Sequence, residues 1–363
     1  MDADIIIIGA GPAGASAAVT AARAGAKVLL LERERLPREK LCSGVLSPKS
    51  TTQLASLLDL SDIRTGTSPF VIGSTDAMLF VSGQYRSLCK HAEAPLFFAS
   101  RPAMDMALVE QAAHLGAEVR DGQKVAAVDA EMGAVTLVTG EALRGRVLIG
   151  ADGARGVSSR VLNGTLPRRG IGLEVRVPDT RPTRLRHSVA DFTLRTGYFW
   201  QFPKWDGTVA VGVGSVDKSA FPHMREMLAR YATVEGLALP DHVPGHPVPC
   251  FPQPILQDGL LLLAGDAAGL VDPLIGEGIP YALLSGRIAA DTALRYLADG
   301  SPTLLAAYPA IIRRRVLAQH RPLRRLAAMG PLTQRAMIYG LVRVPWTQGA
   351  MWRYLSDWSV PVA

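Results

Sequence analysis

The chain has 363 residues, of which 48% are hydrophobic and 20% charged, a composition that excludes intrinsic disorder and suits two consecutive or interleaved domains. Its three cysteines, Cys42, Cys89 and Cys250, are odd in number, far apart and without a CxxC pair, which argues against a disulfide framework and a thiolate metal site. The first residues, MDADIIIIGAG, carry acid where a signal peptide carries base, and their apolar run is far shorter than the roughly 18 residues of a spanning helix, so we expect a cytoplasmic protein.

The first element is a βαβ unit. The sequence DIIIIGAGPAGASAAVTAARAGAKVLLLERE predicts a buried strand at Asp4–Ile8, a helix to about Ala24 and a second strand at Lys27–Leu31. A glycine turn joins the first strand to the helix. The free amides at the start of such a helix bind phosphate groups.

The glycines and the terminal acid of this unit follow the dinucleotide fingerprint. Gly9 permits a tight turn, Gly11 lets the backbone approach a pyrophosphate, and Gly14 lets the helix pack on the sheet. Glu32 follows the second strand and is placed to accept a hydrogen bond from a ribose hydroxyl. The unit therefore predicts a bound dinucleotide.

Three further segments in the first half carry candidate functional residues. The stretch REKLCSG at 38–44 contains the lone thiol of Cys42, which is either an acid catalyst or a small apolar wall residue. Arg101 opens an amphipathic helix and either neutralises phosphate or caps a surface helix. Asp152, in GADGARGVSSR, can belong to a simple turn.

The middle of the chain changes to the period of two that is typical of β-strands. Residues 168–216 predict antiparallel sheet, with a hairpin whose turn is Asp206–Gly207. Tyr198, Trp200 and Phe202 alternate onto one face of that hairpin. They form either a broad apolar wall of a binding site or ordinary core packing.

A second glycine turn lies near residue 265. An apolar strand at Leu260–Ala264 ends at Asp266, and a helix with Pro280 in its first turn follows from about Gly278. Asp266 is placed to accept from a polyol hydroxyl of the same ligand. The alternative is a simple helix start in which Asp266 or Glu277 is the cap.

The C-terminal segment carries the positive charge. Residues 303–363 contain nine arginines and one acid and have a net charge of +8, so that the rest of the chain, with a total of +7, has −1. The segment predicts either helices that pack on the nucleotide domain or a helix that lies on anionic lipid. A nucleic-acid partner is not expected, because no recognition motif accompanies the arginines.

Together these motifs resemble a known group of flavoproteins. GAGPAG with Glu32, GADGARGVSSR at 150–160 and GDAAGLVDPLIGEGI at 265–279 are similar to the three FAD signatures of the p-hydroxybenzoate hydroxylase-like flavoproteins. PREKLCSG, YFWQFPK and DPLIGEGI resemble more narrowly the geranylgeranyl reductase family. The similarity spans roughly residues 4 to 300.

The resemblance implies an FAD site and the residues that form it. Ala13, Glu32, Arg101, Val125 and Asp266 would contact FAD, with Gly278 and Ile279 at the flavin ring. The complete set of cofactor-binding residues that it implies is Gly9, Gly11, Ala13, Gly14, Glu32, Arg33, Cys42, Ser43, Gly44, Arg101, Val125, Asp152, Asp266, Gly276, Gly278 and Ile279.

The predicted fold is α/β, with a Rossmann-like FAD-binding domain interleaved with an antiparallel β-sheet substrate domain, plus C-terminal helices. We assign residues 1–68, 98–165 and 252–300 to the FAD-binding domain. The substrate domain takes residues 69–97 and 166–251, and the basic helical segment takes 301–363.

The predicted activity is the FAD-dependent reduction of C=C bonds in a polyprenyl chain, with Cys42, Tyr198 and Trp200 as the catalytic candidates. An FAD-dependent monooxygenase or halogenase is the alternative, because Tyr198-x-Trp200-x-Phe202-Pro203 partly overlaps the W-x-W-x-I-P pattern of flavin halogenases. A quinone-linked electron carrier is a third interpretation.

The expected partners follow from that activity. The electron donor is either NADPH, which would bind transiently because there is no second dinucleotide fingerprint, or a ferredoxin. An isoprenoid substrate also suggests peripheral contact of the basic segment with the inner face of the membrane.

Overall fold

The computed structural model describes residues 1–60, 63, 68–90, 95–194, 197–273 and 275–321, with Ala336, Tyr339, Gly340, Val344, Gly349, Arg353 and Tyr354. The strands are β1 (Ala3–Ile8), β2 (Val28–Leu31), β3 (Val45–Leu46), β4 (Val71–Thr75), β5 (Ala77–Ser82), β6 (Tyr85–Lys90), β7 (Leu96–Ala99), β8 (Glu118–Arg120), β9 (Val125–Asp129), β10 (Ala134–Leu137), β11 (Ala142–Gly150), β12 (Gly170–Pro178), β13 (Ser188–Asp191), β14 (Gly197–Pro203), β15 (Thr208–Ser215), β16 (Gly245–Val248), β17 (Gln257–Asp258) and β18 (Leu261–Leu263). The helices are α1 (Pro12–Arg23), α2 (Pro48–Leu58), α3 (Arg101–His114), α4 (Val157–Asn163), α5 (Met224–Val234), α6 (Ile279–Asp299), α7 (Pro302–Ala306) and α8 (Tyr308–Ile312).

A mainly parallel sheet has the order β17-β18-β11-β1-β2-β8, with antiparallel pairing of β17 with β18, and the antiparallel strands β9 and β10 extend it through β11. The central strand β1 pairs in parallel with both β2 and β11. Its four isoleucines are buried because a strand in the middle of a parallel sheet is covered on both faces. Helices α1 and α6 pack closely, and a Cβ at Gly286 would collide with the Ala13 carbonyl.

The predicted βαβ unit is confirmed, and each of its bounds lies within one residue of the structure. The same holds for the later apolar strand, which is β18, and for the helix after the second glycine turn, which is α6. The predicted alternative of a side-chain cap for α6 is wrong, because its N-cap residue is Gly278. These elements are local in sequence, and hydrophobic runs and glycines are sufficient to locate them.

A second sheet has the order β16-β12-β15-β14-β13-β5-β6. The expected hairpin joins β14 to β15, and Gly207 has a φ of 80° in its turn. The sheet is antiparallel as predicted except for β13 and β5, which pair in parallel. Helix α5 packs on this sheet, where Phe199 stacks on Tyr231 with ring centroids 4.4 Å apart.

Residues 69–97, which the sequence analysis assigns to one domain, contribute to two sheets. Strands β5 and β6 join the seven-stranded sheet, whereas β4 and β7 pair with β3 in a separate three-stranded sheet. Through the pairing of β3 with β7, the small sheet holds the segment that follows Cys42. With this addition the architecture is the predicted α/β flavoprotein fold with parallel and antiparallel sheets.

The described part of the C-terminal segment begins with α7 and α8 and continues as a π-helical turn at Arg313–Leu317. Most of the predicted helical segment beyond residue 321 lies outside the described residues. Tyr354 is described and donates a 2.5 Å hydrogen bond to Asp272. Among the helices that the structure describes, none has the length and hydropathy required to span a membrane.

Candidate active site

A cavity of about 1190 Å³ lies between the carboxyl ends of the parallel strands and one face of the seven-stranded sheet. It brings together almost all the predicted site residues, including the catalytic candidates. The predicted residues that line it are Gly9, Gly11, Ala13, Glu32, Arg33, Cys42, Ser43, Arg101, Val125, Asp152, Tyr198, Trp200, Asp266, Gly276, Gly278 and Ile279.

Gly14 and Gly44 do not line the cavity and have packing roles. A Cβ at Gly14 would collide with the Gly9 carbonyl, so a glycine lets α1 approach the turn after β1. Gly44 has a φ of 68°, and a Cβ there would collide with the carbonyl of Ala99 in β7. Gly44 therefore holds the loop that carries Cys42 against the three-stranded sheet.

The glycine turn leaves the start of α1 open to an anion. Gly9 has a φ of 100°, and Gly11 is the N-cap residue, which has no side chain to bond the first amides. Lys40 and Arg101 line the same cavity. An uncapped helix start in a cavity that these cations also line fits the pyrophosphate of FAD.

Glu32 is buried and already has hydrogen-bond partners within the protein. Its carboxyl oxygens accept from the Ala10 amide at 2.9 Å and from the Glu34 amide at 3.1 Å. Arg38 approaches the same carboxyl at 3.2 Å. The side chain therefore fixes the glycine turn in addition to lining the predicted ribose position.

Arg101 is 6% exposed, so the alternative of a surface helix cap is wrong. Its guanidinium donates two hydrogen bonds to Asp105, at 3.0 and 2.9 Å. Arg38 is 3.3 Å from the same carboxyl. The sequence analysis missed Arg38 and Asp105; the acid four residues after Arg101 was the available signal for the pair.

Lys40 and His246 form a second polar contact at the cavity wall. The lysine donates to the Nε2 atom of His246. Burial and the charge of Lys40 lower the pKa of His246 to about 3, so its imidazole is neutral and can accept. Burial also raises the pKa of Asp266, against the opposing effect of Lys40 and Arg101. These charges surround the position predicted for the polyol of FAD.

Asp152 has a structural contact of its own. Its Oδ2 atom accepts from the Ser158 amide at 3.0 Å and from the Ser158 hydroxyl at 3.1 Å. Burial raises its pKa despite these bonds. The residue therefore fixes the start of α4 while it lines the cavity.

Cys42 is exposed to the cavity, and all three cysteines are free. Its sulfur accepts from the Gly44 amide at 3.4 Å and from the Arg101 guanidinium. Within the residues that the structure describes, no cluster of three or more His, Cys, Asp or Glu side chains could hold a metal ion. Because it is exposed to the cavity, the Cys42 thiol can contact a ligand that binds there.

The predicted aromatic wall is present. Tyr198, Trp200 and Phe202 all line the cavity, and Tyr198 stacks on Phe192 with ring centroids 5.3 Å apart. The Tyr198 hydroxyl donates to the Ile275 carbonyl at 2.5 Å. Burial and nearby carboxylates raise the pKa of Tyr198, which makes it a poor acid.

Glu174 in β12 is a buried cavity residue that the sequence analysis missed. Its carboxyl accepts from the Trp200 indole at 2.6 Å and from the Ser43 hydroxyl. Lys204 donates to the Ser43 carbonyl at 2.8 Å, and burial lowers the pKa of this lysine to about 8. The group fixes the Cys42 loop against the aromatic wall. A single acid in an alternating strand gave no signal for it.

Glu277 is a second acid that was missed as a site residue. It lies between two glycines immediately before α6, and that position was the available signal. Its carboxyl oxygens are buried, and neither has a hydrogen-bond partner among the described residues. Burial raises the pKa of Glu277 to about 7.

The comparisons with known proteins support an FAD cofactor. A family model described as FAD binding domain matches residues 2–218. A menaquinone reductase from Mycolicibacterium smegmatis is 29% identical and aligns with 94% of this chain and 87% of its own length. A geranylgeranyl diphosphate reductase from Rhodobacter capsulatus is 30% identical and aligns with 83% of this chain and 78% of its own.

The fold also matches a solved structure. A geranylgeranyl bacteriochlorophyll reductase-like protein from Thermoplasma acidophilum superimposes with a TM-score of 0.80 at 21% identity, and covers 99% of this chain and 97% of that chain. The family match spans more than half of the chain and includes the glycine turn, Glu32 and the aromatic hairpin. The chain therefore belongs to the FAD-dependent oxidoreductases that share this FAD binding domain and, within them, to the geranylgeranyl reductase family.

Proposed function

We propose that the protein is an FAD-dependent reductase that saturates C=C bonds of a polyprenyl chain. Two of its relatives are named geranylgeranyl diphosphate reductase and menaquinone reductase, which points to isoprenoid substrates. The single observation that carries the proposal is the composition of the cavity on the side of the seven-stranded sheet.

Much of the lining on that side of the cavity is apolar, and its acid, Glu174, is already bonded to Trp200 and Ser43. Its lining includes Val45, Met78, Phe80, Leu96, Ala190, Phe192 and Phe202. The Tyr198 hydroxyl and the Trp200 indole also lie there, and each already donates a hydrogen bond to the protein. Because these donors are occupied, the wall offers ring faces more than hydrogen bonds, which suits a hydrocarbon chain better than a phenol.

The chain has three tasks in such a reaction. Bound FAD supplies the hydride once it is reduced, which is chemistry that side chains do not perform. The aromatic wall aligns the alkene and excludes water. A proton must also reach the second alkene carbon, and Cys42 is the proposed donor, because its thiol is exposed to the cavity.

The electron donor and the cellular site belong to the same proposal. NADPH that binds transiently, or a ferredoxin, would reduce the flavin. We place the protein in the cytoplasm, with its basic C-terminal segment in peripheral contact with the membrane that contains the substrate.

Oxygen dependence separates this proposal from a monooxygenase or halogenase. The FAD-loaded protein is reduced with dithionite under strict anaerobiosis and mixed with geranylgeranyl diphosphate or with menaquinone. We expect at least one of the two to oxidise the flavin without air. Turnover that requires oxygen would instead support the alternative suggested by the Tyr198-x-Trp200-x-Phe202-Pro203 pattern.

A further inference from the structure

The Glu277 carboxyl has an unusual environment for a buried acid. Both oxygens are inaccessible to solvent and lack a hydrogen-bond partner among the described residues. The Ser47 hydroxyl lies near the Glu277 carboxyl and affects its pKa, but the geometry between them is not that of a hydrogen bond. An ionised carboxylate in such a position would lose hydration without compensation, so the environment favours the protonated form.

Among the residues that the structure describes, four titratable groups face Glu277 from the surrounding elements. They are Lys49 from α2, Asp272 from the preceding loop, Tyr198 from β14 and Tyr281 from α6. Burial raises the pKa of Glu277 most, the Ser47 hydroxyl and Lys49 oppose that effect, and Asp272 adds to it. The Asp272 carboxylate is held in position because it accepts hydrogen bonds from the Ile275 amide at 2.9 Å and from the Tyr354 hydroxyl.

The other buried acids around the cavity have partners that favour ionisation. Glu32 accepts from two amides, Asp152 from Ser158, and Glu174 from Trp200 and Ser43. Asp266 lies in the field of Lys40 and Arg101. Burial raises the pKa of Asp152, Glu174 and Asp266 as well, but Glu277 differs because neither of its carboxyl oxygens has a hydrogen-bond partner among the described residues.

We propose that Glu277 takes up a proton from solvent when the flavin in this cavity is reduced, and releases it when the flavin is reoxidised. The inference rests on the bound flavin and not on a prenyl substrate. The reductant supplies two electrons and the flavin takes up its own proton. Separately, a solvent proton converts the Glu277 carboxylate to the carboxylic acid.

The charge of the reduced flavin is the proposed cause of this coupling. Two-electron reduction of a flavin to its anionic form adds one negative charge to the cavity that Gly276, Glu277 and Gly278 line. At an effective dielectric constant of about 20, a charge within about 10 Å changes the proton affinity of a carboxylate by roughly tenfold or more. A group already half protonated near neutral pH responds to that change, whereas a fully ionised acid does not.

The test is potentiometric titration of the bound flavin from about pH 6 to about pH 9, in the FAD-loaded wild-type protein and in the Glu277→Gln variant. Each proton taken up with two electrons changes the midpoint potential by about 30 mV per tenfold change in proton activity. We expect an additional slope of that size near neutral pH in the wild type and its loss in Glu277→Gln. Glu131→Gln, an exposed acid in the turn after β9, is the control and should keep the slope.

Identical slopes in the wild type and Glu277→Gln would overturn the proposal. The Asp272→Asn variant retains Glu277 and gives an independent test: because Asp272 raises the pKa of Glu277, the steeper region should move to lower pH. Should Glu277→Gln fail to bind FAD, the reduced-minus-oxidised infrared spectrum of the wild type must show a new protonated-carboxyl band, and its absence would equally overturn the proposal. No substrate is needed, so these outcomes are separate from a failure of the proposed function.

Discussion

The sulfur of Cys42 is held by one amide and one guanidinium while the thiol stays exposed to the cavity. This is the arrangement expected of a group that meets a ligand, and it differs from that of a buried wall residue. Cys42→Ala should therefore keep FAD and substrate binding but lower turnover about a hundredfold or more, as removal of a general acid does. Cys42→Ser should restore little of the lost turnover, because a serine hydroxyl is a much weaker acid than a thiol.

Single-turnover oxidation of the reduced flavin by a prenyl substrate, followed anaerobically, measures this effect separately from product release. A rate within a few-fold of wild type in Cys42→Ala would remove the thiol from the chemistry. Tyr198 is a poor alternative proton donor, since its hydroxyl donates a hydrogen bond to the Ile275 carbonyl and its pKa is raised.

Glu277 gives a pH-dependent prediction about stability. Its pKa is about 7 in the folded protein against 4.5 for a free side chain, so the folded state binds more protons between these values. Stability should therefore fall as pH rises through this range, because the buried carboxyl must ionise. Glu277→Gln should lose this part of the decline, and denaturant unfolding across the range in both proteins measures it. Equal pH profiles would show that Glu277 is ionised throughout.

At the scale of the elements, the sequence predicts what depends on local pattern. The strands β1 and β2, the helix α1, the hairpin β14–β15 and the start of α6 follow from apolar runs, glycines and turn residues. The parallel pairing of β13 with β5 joins segments about a hundred residues apart, and no local signal encodes it.

The residues of the candidate site also differ in whether a local sequence pattern predicts them. The glycine turns and Asp266 belong to contiguous motifs that can be recognised in the sequence, and they all line one cavity. Glu174 and Lys204 become functional neighbours of Ser43 only because β12 and β14 bring them to it. Such contacts depend on tertiary packing and could not be predicted from residue spacing.

The hairpin also explains why β15 carries glycines opposite the aromatic wall. Gly212 is paired with Trp200, and a Cβ at Gly212 would collide with the indole. Gly212→Ala should therefore displace the Trp200 ring and weaken binding of a prenyl substrate severalfold, while FAD occupancy stays the same. Gly172→Ala is the matched control, because a Cβ there would lie 3.7 Å from the same ring, an ordinary contact. Quenching of flavin fluorescence on addition of substrate measures the affinity of both variants. Equal affinities would show that the position of the Trp200 ring does not affect substrate binding.

At the scale of the whole molecule, the concentration of positive charge in the C-terminal segment predicts which part of the protein contacts an anionic lipid surface. The described arginines at 313–315, 321 and 353 are exposed, whereas Tyr354 is buried against Asp272. The segment therefore both packs on the flavin half and presents positive charge. We expect it to bind vesicles of anionic lipid and to release as salt rises, since each arginine contributes about 1 kcal/mol near such a surface and charges are screened within about 10 Å at 0.1 M salt.

Sedimentation with anionic and neutral vesicles at increasing salt measures this binding, and a variant with Arg313, Arg314 and Arg315 changed to Gln should bind more weakly. Equal binding to both kinds of vesicle would assign the segment to packing alone.

The most direct measurement of the central claim is tandem mass spectrometry of menaquinone after anaerobic reaction with the dithionite-reduced, FAD-loaded protein. A prenylated quinone offers both a ring that can be reduced and a chain that can be saturated. Our account predicts a product heavier by two hydrogens for each saturated double bond, with fragments that place those hydrogens in the prenyl chain. Added hydrogens in the quinone ring alone, or a product that contains oxygen or halogen when air is admitted, would contradict it.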